Sequence, residues 1–205
     1  MSSLSCPVNL DVGRLKEEVE GMYARVAQNP DGDFHFNRGP EYAVSHLGYD
    51  SEELASLPAA STESFAGVGN PIAIHELALG EVVLDVGSGA GMDLLLAAQR
   101  VGPSGKAIGV DMTQEMIDKC IASAKEAGLD NVELRKGDIH ELPVADSEVD
   151  VVITNGVLNL AHDKLKAYGE LFRVLKPGGR LQFADIISAE QLSDGIRNDF
   201  ELWAA

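Results

Sequence analysis

The sequence predicts an α/β fold with a mostly parallel sheet and an N-terminal helical cap, and two observations support this prediction. From Glu81 onward, short apolar runs rich in β-branched residues alternate with amphipathic stretches, a pattern typical of βαβ units. A glycine-rich turn at 87–91 follows the first apolar run and precedes an apolar helix, as in Rossmann-like sheets. We therefore expect a helical cap and lid at 1–79 and a Rossmann-like domain at 80–205.

The cap is predicted to begin with a long helix. Asp11 is a good N-cap residue, and apolar side chains then recur every three or four positions until Asn29 and Pro30 end the pattern. The other elements expected in the cap are short helices at 42–47, 51–57 and 72–79, with Gly- and Pro-rich loops at 30–40 and 61–71.

Five strands and three helices are predicted in the main domain. Apolar runs place the strands at 81–86, 106–111, 132–137, 149–154 and 180–187. Helical patterns lie between them at 91–101, 113–127 and 163–175. The last helix is expected to stop before Pro177 and Gly178, because neither residue continues a helix. Connections between parallel strands should cross over with a right hand.

The charge of the chain argues against nucleic-acid and membrane partners. Sixteen basic and 33 acidic residues give a net charge of −17, which repels phosphate backbones and anionic lipid surfaces. No apolar run approaches the roughly 18 residues of a membrane helix, and the first ten residues lack the pattern of a signal peptide. We expect a cytoplasmic protein.

Cysteine and histidine spacing predicts no metal site. The two cysteines, Cys6 and Cys120, are far apart, and the five histidines show no ligand spacing. Cys120 lies on the apolar stripe of a predicted helix, so we interpret it as a buried structural residue.

The glycine-rich turn supplies the first predicted binding residues, which are Asp85, Gly87, Ser88, Gly89 and Gly91. Glycines let the backbone approach a ligand, and the helix that follows presents unpaired N–H groups. A dinucleotide fingerprint needs a third glycine at position 92, where this chain has Met92. The charge of Asp85 opposes a pyrophosphate but favours a ligand with an ammonium and a sulfonium group. The turn therefore favours S-adenosylmethionine over a nicotinamide cofactor.

Three further strand ends supply candidate ligands at the same edge of the sheet. Asp111 lies 20 residues beyond the glycine-rich turn and can accept hydrogen bonds from both ribose hydroxyls. Asp138 and Ile139 follow the third strand, where they can meet the amino group and the ring face of adenine. Asn155 and Gly156 follow the fourth strand and are expected to line the pocket from which the methyl group leaves.

Five segments, in this order, resemble the class I S-adenosylmethionine-dependent methyltransferases: LDVGSGAG, GVDMT, GDIHELP, VDVVITNGVLNL and RVLKPGG. The resemblance covers about residues 65–190, and DMTQEM, NGVLNLAHDK and GVGNP are most similar to the arsenite methyltransferase branch. It implies an S-adenosylmethionine cofactor and a strand order of 3-2-1-4-5. It also implies ligand roles: Asp111 and Met112 for the ribose and adenine, Asp138 and Ile139 for the adenine, and Asp85, Gly87, Gly89, Asn155 and Gly156 for the methionine end.

The chain departs from the arsenite branch at its cysteines. Members of that branch hold trivalent arsenic with three thiolates, and two of the matching positions here are Val68 and Gly156. No cysteine follows Cys120, so the third thiolate is missing too. Because soft thiolates are the basis of arsenite binding, we expect a different acceptor. It should be a small molecule, since the cap is expected to close over the sheet edge.

No catalytic residue is assigned from the sequence. The sulfonium is an activated leaving group, so alignment and exclusion of water are the main requirements. His35 and Tyr23 are candidates for an acceptor-binding group or a base, beside plainer interpretations as a loop histidine and a core-edge tyrosine. Two alternative functions stay open: a module that binds S-adenosylmethionine without turnover, and a nicotinamide-dependent oxidoreductase.

The fifth strand is expected to lie at an edge of the sheet. The resemblance implies two further strands beyond it, and we expect these to be absent from this chain. The run 180–187 is apolar on both faces, and an exposed apolar edge favours pairing with another chain. We therefore expect either a fragment of a longer protein or a homodimer that covers the fifth strand.

Overall fold

The computed structural model describes residues 11–189, and five parallel strands form its sheet. The strands are β1 Val82–Val86, β2 Lys106–Asp111, β3 Val132–Lys136, β4 Val149–Asn155 and β5 Leu175–Ala184. Their spatial order is β3-β2-β1-β4-β5, and each neighbouring pair is parallel. This confirms the predicted α/β class and strand order.

Seven α-helices accompany the sheet in the described part of the chain. They are α1 Val12–Gln28, α2 Gly39–Leu47, α3 Ser51–Ala55, α4 Ala59–Glu63, α5 Met92–Val101, α6 Gln114–Glu126 and α7 Lys164–Val174. The Asp11 carboxylate accepts a hydrogen bond from the N–H of Arg14 and so caps α1 as predicted. Across residues 11–189, no helix is long and apolar enough to span a bilayer.

The predicted helix at 72–79 is wrong. A 3₁₀ turn, Pro71–Ala73, is the only helical structure in that range, and the chain then runs irregularly to β1. The side-chain amide of Gln182 donates to the carbonyls of Pro71 and His75, and Glu81 accepts from the N–H of Ala78. One distant side chain, Gln182, and one nearby side chain, Glu81, thus satisfy backbone groups that a helix would have paired. In turn, α4 occupies the start of the predicted loop at 61–71.

The fifth strand is longer at its start and shorter at its end than predicted. β5 begins at Leu175, directly after α7, and the register between β4 and β5 shifts between Val149 and Val151. Residues 176–179 form the irregular stretch at this shift, which is why a turn-like sequence lies inside a strand. The expected strand end at Ile187 is also wrong, because β5 ends at Ala184.

Apolar side chains cover both faces of the sheet. Val83 and Ile153 point to one face, where they pack with Leu95 of α5 and with cap residues such as Phe65. On the other face, apolar residues of β1, β2 and β4 pack against α7. These strands are buried on both faces, as parallel strands in α/β folds normally are.

The first helix of the cap lies over the carboxyl edge of the sheet. Leu15 and Val19 are buried there against Met112 and Leu160, which follow β2 and β4. The strand order reverses between β1 and β4, and open α/β sheets bind ligands at such a switch point. The fold therefore places a covered cleft where the sequence predicts the cofactor.

Candidate functional site

A cleft at the carboxyl ends of the strands brings the predicted cofactor residues together. It is lined by Asp85, Gly87, Ser88, Gly89, Gly91, Asp111, Met112, Asp138, Ile139, Asn155 and Gly156. Tyr23 of α1 lines it as well. His35 is exposed on the loop after α1 and does not belong to the described residues that line the cleft. Of the two catalytic candidates, Tyr23 therefore lies at the cleft and His35 does not.

The turn after β1 is held against β2 by its backbone. The N–H groups of Gly87 and Ser88 both donate to the carbonyl of Val110, over 2.8 Å and 3.1 Å. Gly89 has a φ of +53°, and the space where a side chain would stand is open. Gly91 begins α5 with a φ of +100°, and a side chain there would collide with Cys120. Glycine is therefore required at this close approach.

Asp85 is a buried carboxyl group at the end of β1, 3% exposed. Its Oδ2 atom has no hydrogen-bond partner among residues 11–189. Burial raises the pKa of Asp85 well above its usual value, and the negative charges of Asp93 and Asp111 raise it further. A buried acceptor without a partner is costly, and a cationic ligand in the cleft would relieve that cost. This orphaned oxygen fits the ammonium group of S-adenosylmethionine.

Asp111 connects the end of β2 to the glycine-rich turn. Its carboxylate accepts hydrogen bonds from the N–H of Gly89 over 2.8 Å and from the N–H of Thr113 over 2.9 Å. Burial raises its pKa, and these two bonds counteract the rise.

Asp138 is bound by groups that sequence reasoning missed. Lys16 of α1 forms an ion pair with Asp138 over 2.8 Å, and the Nδ1 atom of His140 lies 2.5 Å from its carboxylate. Burial raises the pKa of Asp138, but the hydrogen bonds from His140 and Lys16 outweigh it and hold the pKa low. The Nε2 atom of His140 accepts from the N–H of Asp163, so Nδ1 carries the proton. The rings of His140 and His162 contact each other in a tilted arrangement, with centroids 3.9 Å apart.

Asn155 holds the loop that precedes β1 in place. Its Oδ1 atom accepts from the N–H groups of Val68 and Gly69, over 2.8 Å and 3.1 Å. Its Nδ2 atom donates to the carbonyl of Gly69 over 2.8 Å and to Asp93 over 3.0 Å. The side-chain amide of Asn155 therefore forms its hydrogen bonds within the protein. No local pattern around Asn155 reveals these partners, which are 62 to 87 residues away.

Val68 and Gly156 face each other, and Gly156 lines the cleft. A Cβ atom built on Gly156 would lie 3.4 Å from Cγ1 of Val68. These are the two positions that the resemblance matches with arsenic-binding cysteines. Two side chains that bind one acceptor must lie close together, and these two positions do. Neither residue here offers a thiolate.

Tyr23 is the catalytic candidate that the fold brings to the cleft. Burial raises the pKa of its hydroxyl to about 12, and the negative charge of Asp111 adds to the rise. At neutral pH Tyr23 is therefore a neutral phenol that can donate a hydrogen bond. It stacks against Phe36, with ring centroids 6.2 Å apart, in the cap.

No three histidine, cysteine, aspartate or glutamate side chains are grouped to hold a metal ion within residues 11–189. Cys120 is fully buried, and burial raises the pKa of its thiol to about 12. A thiol in that environment is neither a ready metal ligand nor a nucleophile. Its burial confirms the structural interpretation.

Comparison with known proteins defines the class of this fold and site. Residues 78–205 match the family model described as a methyltransferase domain. The chain belongs to this family of methyltransferase domains. S-adenosylmethionine is the cofactor that the family and its solved structures imply, and the orphaned oxygen of Asp85 fits it.

Particular relatives place the chain near the arsenite branch. It is 48% identical to an arsenite methyltransferase of Halobacterium salinarum over 75% of this chain and 39% of the relative. It is 42% identical to an arsenite methyltransferase of Aquipseudomonas alcaligenes over 92% of this chain and 56% of the relative. The chain thus spans between about two fifths and just over half of these relatives.

A solved structure supports the same placement. The crystal structure of an arsenic(III) S-adenosylmethionine methyltransferase from Chlamydomonas reinhardtii is 35% identical, with a TM-score of 0.68. The alignment covers 75% of this chain and 56% of that chain. Sequence and fold therefore agree on a class I methyltransferase domain that resembles the arsenite methyltransferases.

Proposed function

We propose that this chain transfers the methyl group of S-adenosylmethionine to a small-molecule acceptor. The orphaned, buried oxygen of Asp85 is the observation that carries the proposal. It lies in a cleft whose other residues suit a nucleoside. The ammonium group of the cofactor's methionine end would supply the positively charged partner that Asp85 lacks.

The cofactor roles that we propose follow the order of the strands. Asp85 and the glycine-rich turn hold the methionine end, and Asp111 with Met112 holds the ribose. Asp138 and Ile139 hold the adenine, although Lys16 and His140 already bind the Asp138 carboxylate. We therefore assign the adenine contact mainly to Ile139, which lines the cleft beside Met112.

The acceptor that we propose is small and is not arsenite. Arsenite needs soft thiolate ligands, and Val68 and Gly156 stand where thiolates would be required. Leu15 and Val19 of α1 lie over the sheet edge and leave limited room for a large acceptor. The position of α1 over the cleft is therefore consistent with a small acceptor.

The chemistry that we propose depends on alignment rather than on a dedicated base. In-line displacement at a sulfonium methyl group needs positioning and exclusion of water, and the covered cleft offers both. Tyr23 remains a candidate for an acceptor contact because it lines the cleft. His35 is exposed and does not share the cleft, so we give it no role.

The alternative functions have less support. A nicotinamide oxidoreductase is disfavoured by Met92, which is buried where the fingerprint requires glycine, and by the charge of Asp85. A binding module without turnover would share the cofactor cleft and differ only at the acceptor. Turnover is the observation that separates this module from an enzyme.

We also propose a homodimer and a cytoplasmic location. Phe183 and Ile186 are 40% and 57% exposed beside β5, and Phe172 of α7 is 82% exposed. An apolar edge of this kind favours a covering partner, for which a second copy with two-fold symmetry is the simplest choice. The net charge of −17 supports a location away from anionic lipid.

Turnover tests the proposal directly. The purified chain is incubated with S-adenosylmethionine and a panel of thiols, metalloids, phenols and quinols, and S-adenosylhomocysteine is measured. We expect product with at least one non-metalloid acceptor and none with the Asp85→Asn variant. Cofactor binding without product across the panel would favour the module without turnover.

A further inference from the structure

A buried hydrogen-bonded network, Tyr49–Asp93–Asn155, lies beside the cleft and was not visible in the sequence. The hydroxyl of Tyr49 donates to Oδ1 of Asp93 over 2.6 Å, and Nδ2 of Asn155 donates to Oδ2 of Asp93 over 3.0 Å. Tyr49 and Asp93 are each 5% exposed. The network joins the cap, the first turn of α5 and the end of β4.

The carboxylate of Asp93 reinforces the direction in which the backbone of Val68 and Gly69 orients the amide of Asn155. Carboxylate oxygens only accept hydrogen bonds, so the NH₂ group of Asn155 must face Asp93. The Oδ1 atom of Asn155 then faces the loop 66–69, where it accepts from two backbone N–H groups. A neutral amide at position 93 would remove the charged acceptor that faces the NH₂ group of Asn155 and leave only the backbone groups to orient it.

The ionisation of Asp93 suits this role. Burial raises its pKa to about 6, while the hydrogen bonds from Asn155 and Tyr49 counteract the rise. Above that pH both oxygens are acceptors, as the geometry requires. Burial and the charge of Asp93 raise the pKa of Tyr49, so its hydroxyl stays a donor.

We propose that Tyr49 and Asp93 are positioning residues: through the amide of Asn155, and for Tyr49 also through the carbonyl of Gly69, they fix the loop 66–69 against Gly156. This inference rests on the proposed function, because Ala66 and Gly67 of that loop line the cleft near Gly156, where the acceptor would bind. Tyr49 does not line the cleft in the described part of the chain. Its hydroxyl lies 3.1 Å from the carbonyl of Gly69 and accepts from Nδ2 of Asn155, so it acts through the loop backbone and through Asn155.

Tyr49→Phe is the sharpest variant, because it removes a single oxygen atom. The ring keeps its edge-to-face contact with Phe65, at 5.4 Å between centroids, so the packing of the cap is retained. Asp93→Asn is the second variant, since it keeps the volume and removes the acceptor. Tyr42→Phe is the matched control, because Tyr42 stacks on His46 within α2 and lies away from the network.

Two readouts separate this inference from the proposed function. The first reports the loop alone: in a Cys6→Ser, Val68→Cys background, the alkylation rate of the new thiol by iodoacetamide measures how firmly the loop is held. Cys120 is buried and contributes little to that rate. The second is the kcat of the best acceptor found, together with the affinity for S-adenosylmethionine.

We expect Tyr49→Phe and Asp93→Asn each to raise the alkylation rate about fivefold or more, the effect of losing one net hydrogen bond. In Tyr49→Phe the kcat should fall while cofactor affinity changes less than twofold, and Tyr42→Phe should change neither. Asp93→Asn is read by the alkylation rate alone, because Asp93 lines the cleft and its charge acts on Asp85. Unchanged alkylation in both folded variants would overturn the positioning role, whatever the activity. Absence of cofactor binding in the parent chain would overturn the proposed function and leave the alkylation test valid.

Discussion

The backbone N–H of Gly89 donates to the carboxylate of Asp111 over 2.8 Å, which joins the turn after β1 to the end of β2. The same carboxylate accepts from the N–H of Thr113. Asp111 therefore shapes the cleft, in addition to the ribose contact that we propose for it. A change at this position should affect both properties.

Asp111→Ala is expected to weaken the binding of S-adenosylmethionine by about 1.5 to 3 kcal/mol, the range for hydrogen bonds to a charged group. That loss is roughly tenfold or more in the dissociation constant. Calorimetric titration measures it, and Asp118→Ala on the exposed surface of α6 is the control. Unchanged affinity in a folded Asp111→Ala variant would contradict the assignment of the ribose site.

The affinity for S-adenosylmethionine should rise with pH through the titration of Asp85. Its pKa is raised by burial and by the charges of Asp93 and Asp111, so the protein without ligand holds a proton there at low pH. A cationic ligand favours the carboxylate, so binding should release that proton. Titrations in buffers of different ionisation enthalpy detect the release, which should be reduced in Asp85→Asn. Equal proton release in both proteins would place the cation elsewhere.

The same carboxyl group should lower the stability of the protein without cofactor. A carboxyl whose folded pKa lies above its unfolded value of about 3.9 costs stability as the pH rises from that value to the folded pKa. Asp85→Asn should therefore raise the melting temperature at pH 7 to 8, with a gain that fades towards pH 4. Thermal unfolding across this range checks it, with Asp118→Asn as control. A lower melting temperature for Asp85→Asn at pH 7 to 8 would show that its ionisation is not destabilising.

Arsenite should not be methylated efficiently by this chain. Neither Val68 nor Gly156 provides a thiolate, and soft ligands are required to hold trivalent arsenic. Adding both cysteines should create arsenite binding, because the two positions face each other. The φ of +72° at Gly156 makes a side chain there cost about 1–3 kcal/mol, so a less stable variant is expected. Steady arsenite turnover by the unaltered chain with glutathione would contradict this prediction.

Lys16→Ala should speed the release of the cofactor while changing the global stability little. The side chain of Lys16 is 43% exposed, and exposed ion pairs contribute about 0–1 kcal/mol. However, this pair with Asp138 ties α1 across the adenine end of the cleft. Stopped-flow dissociation should be a few times faster than in the parent chain. Glu18→Ala, an exposed change on the same helix, serves as control, and equal rates in both variants would argue against a covering role for α1.

Much of the sheet could be predicted from the sequence, because buried parallel strands are continuous apolar runs. Once the strands were located, their carboxyl ends could be predicted too. This placed Asp85 and Asp111 at the same edge of the sheet. The helix at 72–79 failed because Gln182, more than a hundred residues away, binds the carbonyls of that segment. The Tyr49–Asp93 pair was missed for the same reason, since a hydrogen bond between distant residues leaves no local pattern.

Titration of the purified chain with S-adenosylmethionine, with NADH as the comparison ligand, tests the central claim most directly. We predict saturable binding of one S-adenosylmethionine per chain, strongly weakened in Asp85→Asn, and no measurable binding of NADH. Asp85 is buried, and its Oδ2 atom has no partner across residues 11–189, so a cationic ligand is the one that this cleft should favour. Saturable binding of NADH, or S-adenosylmethionine affinity that is unchanged in Asp85→Asn, would contradict the account.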